Sequence, residues 1–158
     1  MTSENLANTL REHPFLEGFD PEHIDKLAAM ASEVRFGKGA LIFREGDESS
    51  FFYLLLSGTV SLETNAPGRT LRIVTLGRGE ELGWSSVTPR HGKQFQARSL
   101  EETHALAFDG VRLQHACDED FRFGYALMRA MLEVVAHRLM STRLQLLDMY
   151  SPVGTKVG

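Results

Sequence analysis

Phe36-Gly37-Lys38-Gly39-Ala40-Leu41-Ile42-Phe43-Arg44-Glu45-Gly46-Asp47 is the stretch whose reading decides the fold. Its glycines bracket a short apolar run, Leu41-Ile42-Phe43, which is too brief for a stable helix and has the form of a strand held between turns. The same texture extends outward. From Glu33 to Phe108, short β-rich runs are separated by Gly58, Gly68, Gly77, Gly79 and Gly83. Closely spaced turns of this kind imply an antiparallel roll, sandwich or barrel. Val60 and Leu62 alternate with Ser61 and Glu63, and Leu71 and Ile73 alternate around Arg72, with Pro67-Gly68 between the two runs as a hairpin turn. The alternation predicts one buried face and one wet face.

Helices flank this middle on both sides. Leu6, Leu10 and the pair Phe15-Leu16 carry apolar spacing before a break at Asp20-Pro21. Asp20 suits an N-cap and Pro21 the first helical position, followed by a stripe of Ile24, Leu27, Ala28 and Met30. After Phe108, Asp109 caps a short helix carrying Val111, Leu113 and Cys117, and the acidic run Asp118-Glu119-Asp120 suits the start of a second, long helix reaching about Tyr150. Along it Met128, Leu132, Val135, Leu139, Thr142, Leu146 and Met149 recur at alternating steps, a heptad seam. Leu127, Met131, Val134, Leu144 and Leu147 add a second apolar set. One small roll offers too little surface for both sets, so the 128–149 seam predicts a homodimer; the competing reading packs the whole stripe on its own β-domain.

Composition narrows the function. The chain has 158 residues, 42% hydrophobic and 24% charged, which fits one globular domain without repeats. No apolar run is long enough to span a membrane and the start lacks a secretion signal, so the expected location is cytoplasmic. Cys117 is the only cysteine and is read as core. Net charge is -4 and the 17 Lys and Arg are scattered, without the basic stripe of a duplex-DNA binder, so no nucleic acid is expected as partner. The six histidines contain no His-x-His pair, and Ser85 lies in no Gly-x-Ser-x-Gly elbow. No metal site, no catalytic residues and no enzyme are expected.

The opening stretch, together with Phe52-Tyr53-Leu54, Ser57-Gly58-Thr59-Val60, Leu76-Gly77-x-Gly79-Glu80 and Leu82-Gly83, resembles the cyclic-nucleotide-binding domain of the catabolite-activator (Crp/Fnr) type. The likeness covers nearly the whole chain. It implies an α+β fold in which an antiparallel, jelly-roll-like β-roll holds cAMP or cGMP, with N-terminal helices before it and a long C-terminal dimerisation helix behind it. It implies no covalent cofactor. Organisation follows as a helical preface (1–32), a β-roll (33–108), helices (109–150) and a tail (151–158). Relatives of this type continue into a winged helix-turn-helix; Ser151–Gly158 is too short for one, so the domain is expected to stand alone and to signal through another protein.

The resemblance also marks a candidate site. The family's phosphate cassette opens with Gly-Glu and closes about ten residues later with Arg-Ser or Arg-Thr. Here Leu82 and Gly83 match its opening, Trp84 replaces the glutamate that takes the ribose hydroxyl, and Lys93, followed by Gln94, stands in place of the arginine that clamps the cyclic phosphate. Arg90 and Arg98 are set aside, Arg98 because its strand turns it outward. A lysine neutralises a phosphate without the planar fork that orients it. Ser85 and Ser86 follow Gly83 and offer hydroxyl and amide donors to an anion. Trp84 reads either as a stacking platform or as a core anchor. In Ala136-x-Arg138-Leu139 and Thr142, the threonine resembles the one that the family presents to the purine; the other reading has its hydroxyl bonded back to the helix. Two functions follow: a cyclic-nucleotide sensor, or a fold that has lost its ligand and serves as a dimeric interaction domain.

Overall fold

A computed structural model describes residues 1–48, 50–88 and 92–150. Arg90, His91 and the 151–158 tail lie outside the described residues. Two helices lead in, α1 (Ser3–Glu12) and α2 (Pro21–Met30), joined through a 3-10 turn at Pro14–Leu16. Eight strands follow: β1 (Ser32–Phe36), β2 (Leu41–Phe43), β3 (Phe51–Ser57), β4 (Val60–Ala66), β5 (Arg69–Leu76), β6 (Glu81–Leu82), β7 (Gln96–Ser99) and β8 (Thr103–Asp109). A 3-10 turn at Trp84–Val87 interrupts them, and α3 (Gly110–Glu119) and α4 (Phe121–Tyr150) close the chain. The strands form two four-stranded antiparallel sheets, ordered β1-β8-β3-β6 and β2-β7-β4-β5. This is a β-roll with helices before and after it.

The inner strands β3 and β8 of the first sheet are buried on both faces, which explains why Phe52-Tyr53-Leu54-Leu55 is apolar throughout, while the edge strand β1 is largely open to solvent. Phe52 and Leu54 of β3, with Leu106 and Phe108 of β8, pack toward the helices against Leu10, Ile24, Leu113, Phe123 and Leu127. Tyr53 and Leu55, with Ala105 and Ala107, turn into the roll against Val60, Leu62, Leu76 and Leu82. At about 1.5–3 kcal/mol for each large side chain taken from water, these two layers dominate the fold's stability.

Local signals sort as their chemistry dictates. Thr2 caps α1 by accepting from the Asn5 amide, and Asp109 caps α3 by accepting from the Arg112 amide at 3.0 Å. Asp20 occupies the N-cap position of α2 with Pro21 next, but its side chain makes no capping bond. Asp118 and Glu119 finish α3 instead of opening α4, leaving Asp120 as the residue that accepts from the Phe123 amide at 3.1 Å. Val111 points outward while Leu113 and Ala116 are buried; Cys117 is half-buried against the same core. Beside it Gly124 lets α4 cross α3 closely, since a Cβ there would stand 3.0 Å from both the Cβ and the carbonyl oxygen of Cys117.

The β4–β5 hairpin forms about Pro67-Gly68, with Gly68 at φ 76°. Its outer face is drier than the alternation predicts. Ser61 and Glu63 are both buried because long polar side chains lie over them: Arg72 donates to Ser61 Oγ at 3.1 Å, and Gln96 and Arg98 donate to Glu63 at 2.8 and 3.3 Å. Arginine stems cover surface that strand alternation alone assigns to solvent.

On α4, Leu127 and Met131 pack into the protomer's own core. Most of the seam does not. Leu132 and Leu139 are 67% and 69% exposed, and Met128, Leu146 and Met149 face outward with Leu144 and Leu147.

Candidate functional site

Two hollows lie side by side beneath α4, and all but one of the residues singled out from sequence divide between them. Leu82, Gly83, Trp84, Ser85, Lys93 and Gln94 surround the smaller, which has a volume of about 20 Å³. That is room for one water molecule and far below what a nucleotide requires. Thr142 lines the larger, a half-open cavity of about 520 Å³ between the β4–β5 hairpin and α4. Ser86 lines neither. It is buried under α3, where Gln114 donates to its carbonyl at 2.9 Å, and its hydroxyl has no partner among the described residues.

The cassette is filled by its own side chains. Gly83 sits at φ 87°, ψ 33°, a left-handed conformation that favours glycine. A Cβ there would come within 2.5 Å of the Phe51 carbonyl oxygen and 3.0 Å of Lys93 Nζ, so the bare backbone accommodates the protein itself. Lys93 is 5% exposed. Its ammonium donates to the Phe51 carbonyl at 3.3 Å and stands 4.4 Å above the Phe43 ring. Burial pulls its pKa down from 10.5 to about 8. Trp84 is half-buried and packs against the helical core, and Gln94 is exposed. Arg98 stays on the outer face with Glu63 and donates to the Gly39 carbonyl at 3.0 Å.

An ion pair divides the two hollows. Arg138 of α4 lines both of them, and Glu81 of β6 lines the larger. The guanidinium donates through Nη2 to both carboxylate oxygens of Glu81, at 2.9 Å for Oε2, and to the Glu81 carbonyl at 2.6 Å. Burial pushes the Glu81 carboxyl up to about 7 despite the opposing pull of Arg138. Sequence reading passed over this pair: Glu81 carried no motif, and Arg138 was only a spacer before Thr142.

The large cavity has an apolar wall and a polar one. Leu62, Ile73, Val74, Leu76 and Phe95 form the sheet side. His137, Ser141, Thr142 and Gln145 form the helix side, with Glu80 and Glu133 also on the lining. Thr142 Oγ1 donates to the Arg138 carbonyl at 2.9 Å and Ser141 Oγ to the His137 carbonyl at 3.1 Å, so both hydroxyls bond back to the helix in this state. Gln145 reaches across and donates to the Ile73 carbonyl at 3.3 Å, tying α4 to β5 over the cavity. His137, Ser141 and Gln145 fall at helical spacing one step round from the seam, a signal that the heptad pattern obscured.

A family model described as the cyclic nucleotide-binding domain matches residues 33–120. The chain is similar to a cyclic AMP receptor protein of Thermus thermophilus, 28% identical over 131 residues that cover 82% of this chain and 55% of the relative. It thus spans just over half the length of that curated relative. Among solved structures, the N-terminal domain of a transcriptional regulator from Streptomyces coelicolor is 29% identical, with a TM-score of 0.68, covering 92% of this chain and 99% of the other. A structure described as a cyclic nucleotide-binding protein from Geobacter metallireducens has a TM-score of 0.75 at 23% identity, covering 88% of this chain and 98% of that one.

Proposed function

Because the chain belongs to the cyclic nucleotide-binding domain family, we propose that it is a regulatory module that binds a nucleotide-sized ligand between the β4–β5 hairpin and α4. The observation carrying this is the cavity of about 520 Å³, well within the range of small-ligand sites, walled on one side by the roll and on the other by α4. A ligand held there favours whichever placement of α4 contacts it best, so occupancy shifts a population of helix positions. No bond is made or broken. cAMP and cGMP are the first ligands to test, in line with the family and with the relative named a cyclic AMP receptor protein.

The output leaves through the same helix. The exposed seam from Met128 to Met149 pairs with a second copy, and the homodimer presents its changed surface to a protein partner. Residues 1–150 act as one unit in the cytoplasm, with 151–158 as a tail. Among the described residues no helix is long and apolar enough to cross a membrane.

A second reading, a dimeric interaction domain without a ligand, is favoured by the occupied cassette: Lys93 sits where the resemblance asks for a phosphate clamp. Titration separates the two. Cyclic nucleotides and the corresponding nucleosides are added up to millimolar concentration while Trp84 fluorescence and thermal midpoint are followed. A ligand bound by the native state alone must raise the midpoint. If none of these compounds moves either signal, the sensor reading is lost and the interaction domain stands.

A further inference from the structure

We infer that the cavity takes an uncharged, ring-bearing ligand of nucleoside size and discriminates against phosphate esters. This rests on the sensor reading above and names the class of molecule sensed. Charge is the first argument. Glu80, Glu81 and Glu133 line the cavity, and Arg138 is the one arginine or lysine among the described residues of the lining, its Nη2 already committed to the Glu81 carboxylate and carbonyl; Arg129, off the lining, stands 4.0 Å from Glu133. A phosphate entering this space must either compete with Glu81 for the guanidinium or accept a place beside carboxylates. Like charges at close range in a half-buried site disfavour the anionic ligand.

Space is the second argument. The cassette beside Gly83, where a cyclic phosphate would be clamped, has room for about one water because Lys93 and the Phe51 carbonyl occupy it. Among the described residues of the cassette, the buried cation is Lys93, which is engaged with Phe43 and Phe51 and is not on the lining of the large cavity. What remains suits a flat molecule. Its faces lie against Leu62, Val74 and Phe95, and its hydrogen-bonding edge meets Thr142, Gln145 and His137 on α4. Thr142 and Gln145 each spend a bond on a backbone carbonyl that a ligand group can replace.

The experiment compares matched pairs that differ only in the cyclic phosphate: adenosine with cAMP, and guanosine with cGMP, by calorimetry on the full chain at pH 7.5. At least one nucleoside is expected to bind, and tenfold or more tighter than its cyclic phosphate. Glu81→Gln frees the guanidinium and Glu133→Lys reverses a carboxylate on an exposed helix face, so each narrows that ratio several-fold toward the cyclic nucleotide. A cyclic nucleotide that binds the native chain as tightly as its nucleoside overturns the inference while the sensor reading survives. Binding of none of the four overturns both.

Discussion

Arg138 on α4 grips Glu81 on β6 three times over, through two carboxylate bonds and one to the backbone carbonyl. The bond joins the long helix to the strand that feeds directly into Gly83, and Arg138 lines both hollows.

This pair gives stability a pH signature. Glu81 carries a folded pKa of about 7 against 4.5 for the free side chain, so between those values the native state holds a proton that the unfolded chain has released. Stability therefore rises as pH falls from about 7 toward 4.5, by up to 2–3 kcal/mol in order of magnitude, and is flat above 7. Chemical denaturation across pH 5–8 checks this. Glu81→Gln should remove the slope; Arg138→Met should cost about 3 kcal/mol at pH 8 and much less at pH 5, where the stranded carboxyl protonates.

Lys93 has the opposite dependence. Its folded pKa, near 8, lies below the 10.5 of an exposed lysine, so the burial penalty is complete below pH 8 and fades as pH climbs toward 10.5. Lys93→Met keeps the volume over Phe43 and removes the desolvated charge. We expect a gain of about 1–2 kcal/mol at pH 7 after the lost contacts to Phe51 and Phe43 are subtracted, shrinking toward zero by pH 10. Loss of stability at neutral pH would mean that the ammonium's two contacts outweigh its burial.

Gly83→Ala is expected to be among the most damaging single-methyl additions. The φ of 87° strains any side chain, and the new Cβ meets the Phe51 carbonyl oxygen at 2.5 Å. A cost of about 2–4 kcal/mol is expected from thermal unfolding. Gly39→Ala, with a similar φ of 83° but open space around it, should cost only about 1 kcal/mol.

Leu139→Asp addresses the seam. Leu139 is 69% exposed in the single chain, so the substitution leaves the protomer's core intact. In a dimer it places a carboxylate against the partner's apolar helix. Light scattering should report half the wild-type mass with an unchanged circular-dichroism spectrum; an unchanged mass would remove the seam from the interface.

The roll was legible because its information is local. Glycine spacing reflects backbone turns, and the apolar run through Leu55 reflects a strand covered on both faces, a pattern written in consecutive residues whichever partners do the covering. The heptad run announced α4 for the same reason. The site was legible only in outline. Gly83 and Lys93 are adjacent in space, and Lys93 turns inward onto Phe43, a choice set by a strand fifty residues away. Burial of Ser61 and Glu63 beneath Arg72, Gln96 and Arg98 is likewise a cross-strand effect, invisible to alternation along β4. The Glu81–Arg138 pair spans 57 positions of sequence, with no spacing rule to reveal it.

Gly124 turns α4 into a lever. It is a point of close approach between α3 and α4, while Tyr150 lies 26 residues farther on, about 39 Å along the axis. A tilt of roughly 5° about that fulcrum, too small to disturb the core near Phe123, sweeps the far tip through about 3 Å. Small adjustments beside Arg138, part-way along the arm, thereby arrive magnified at the end where a neighbour would feel them.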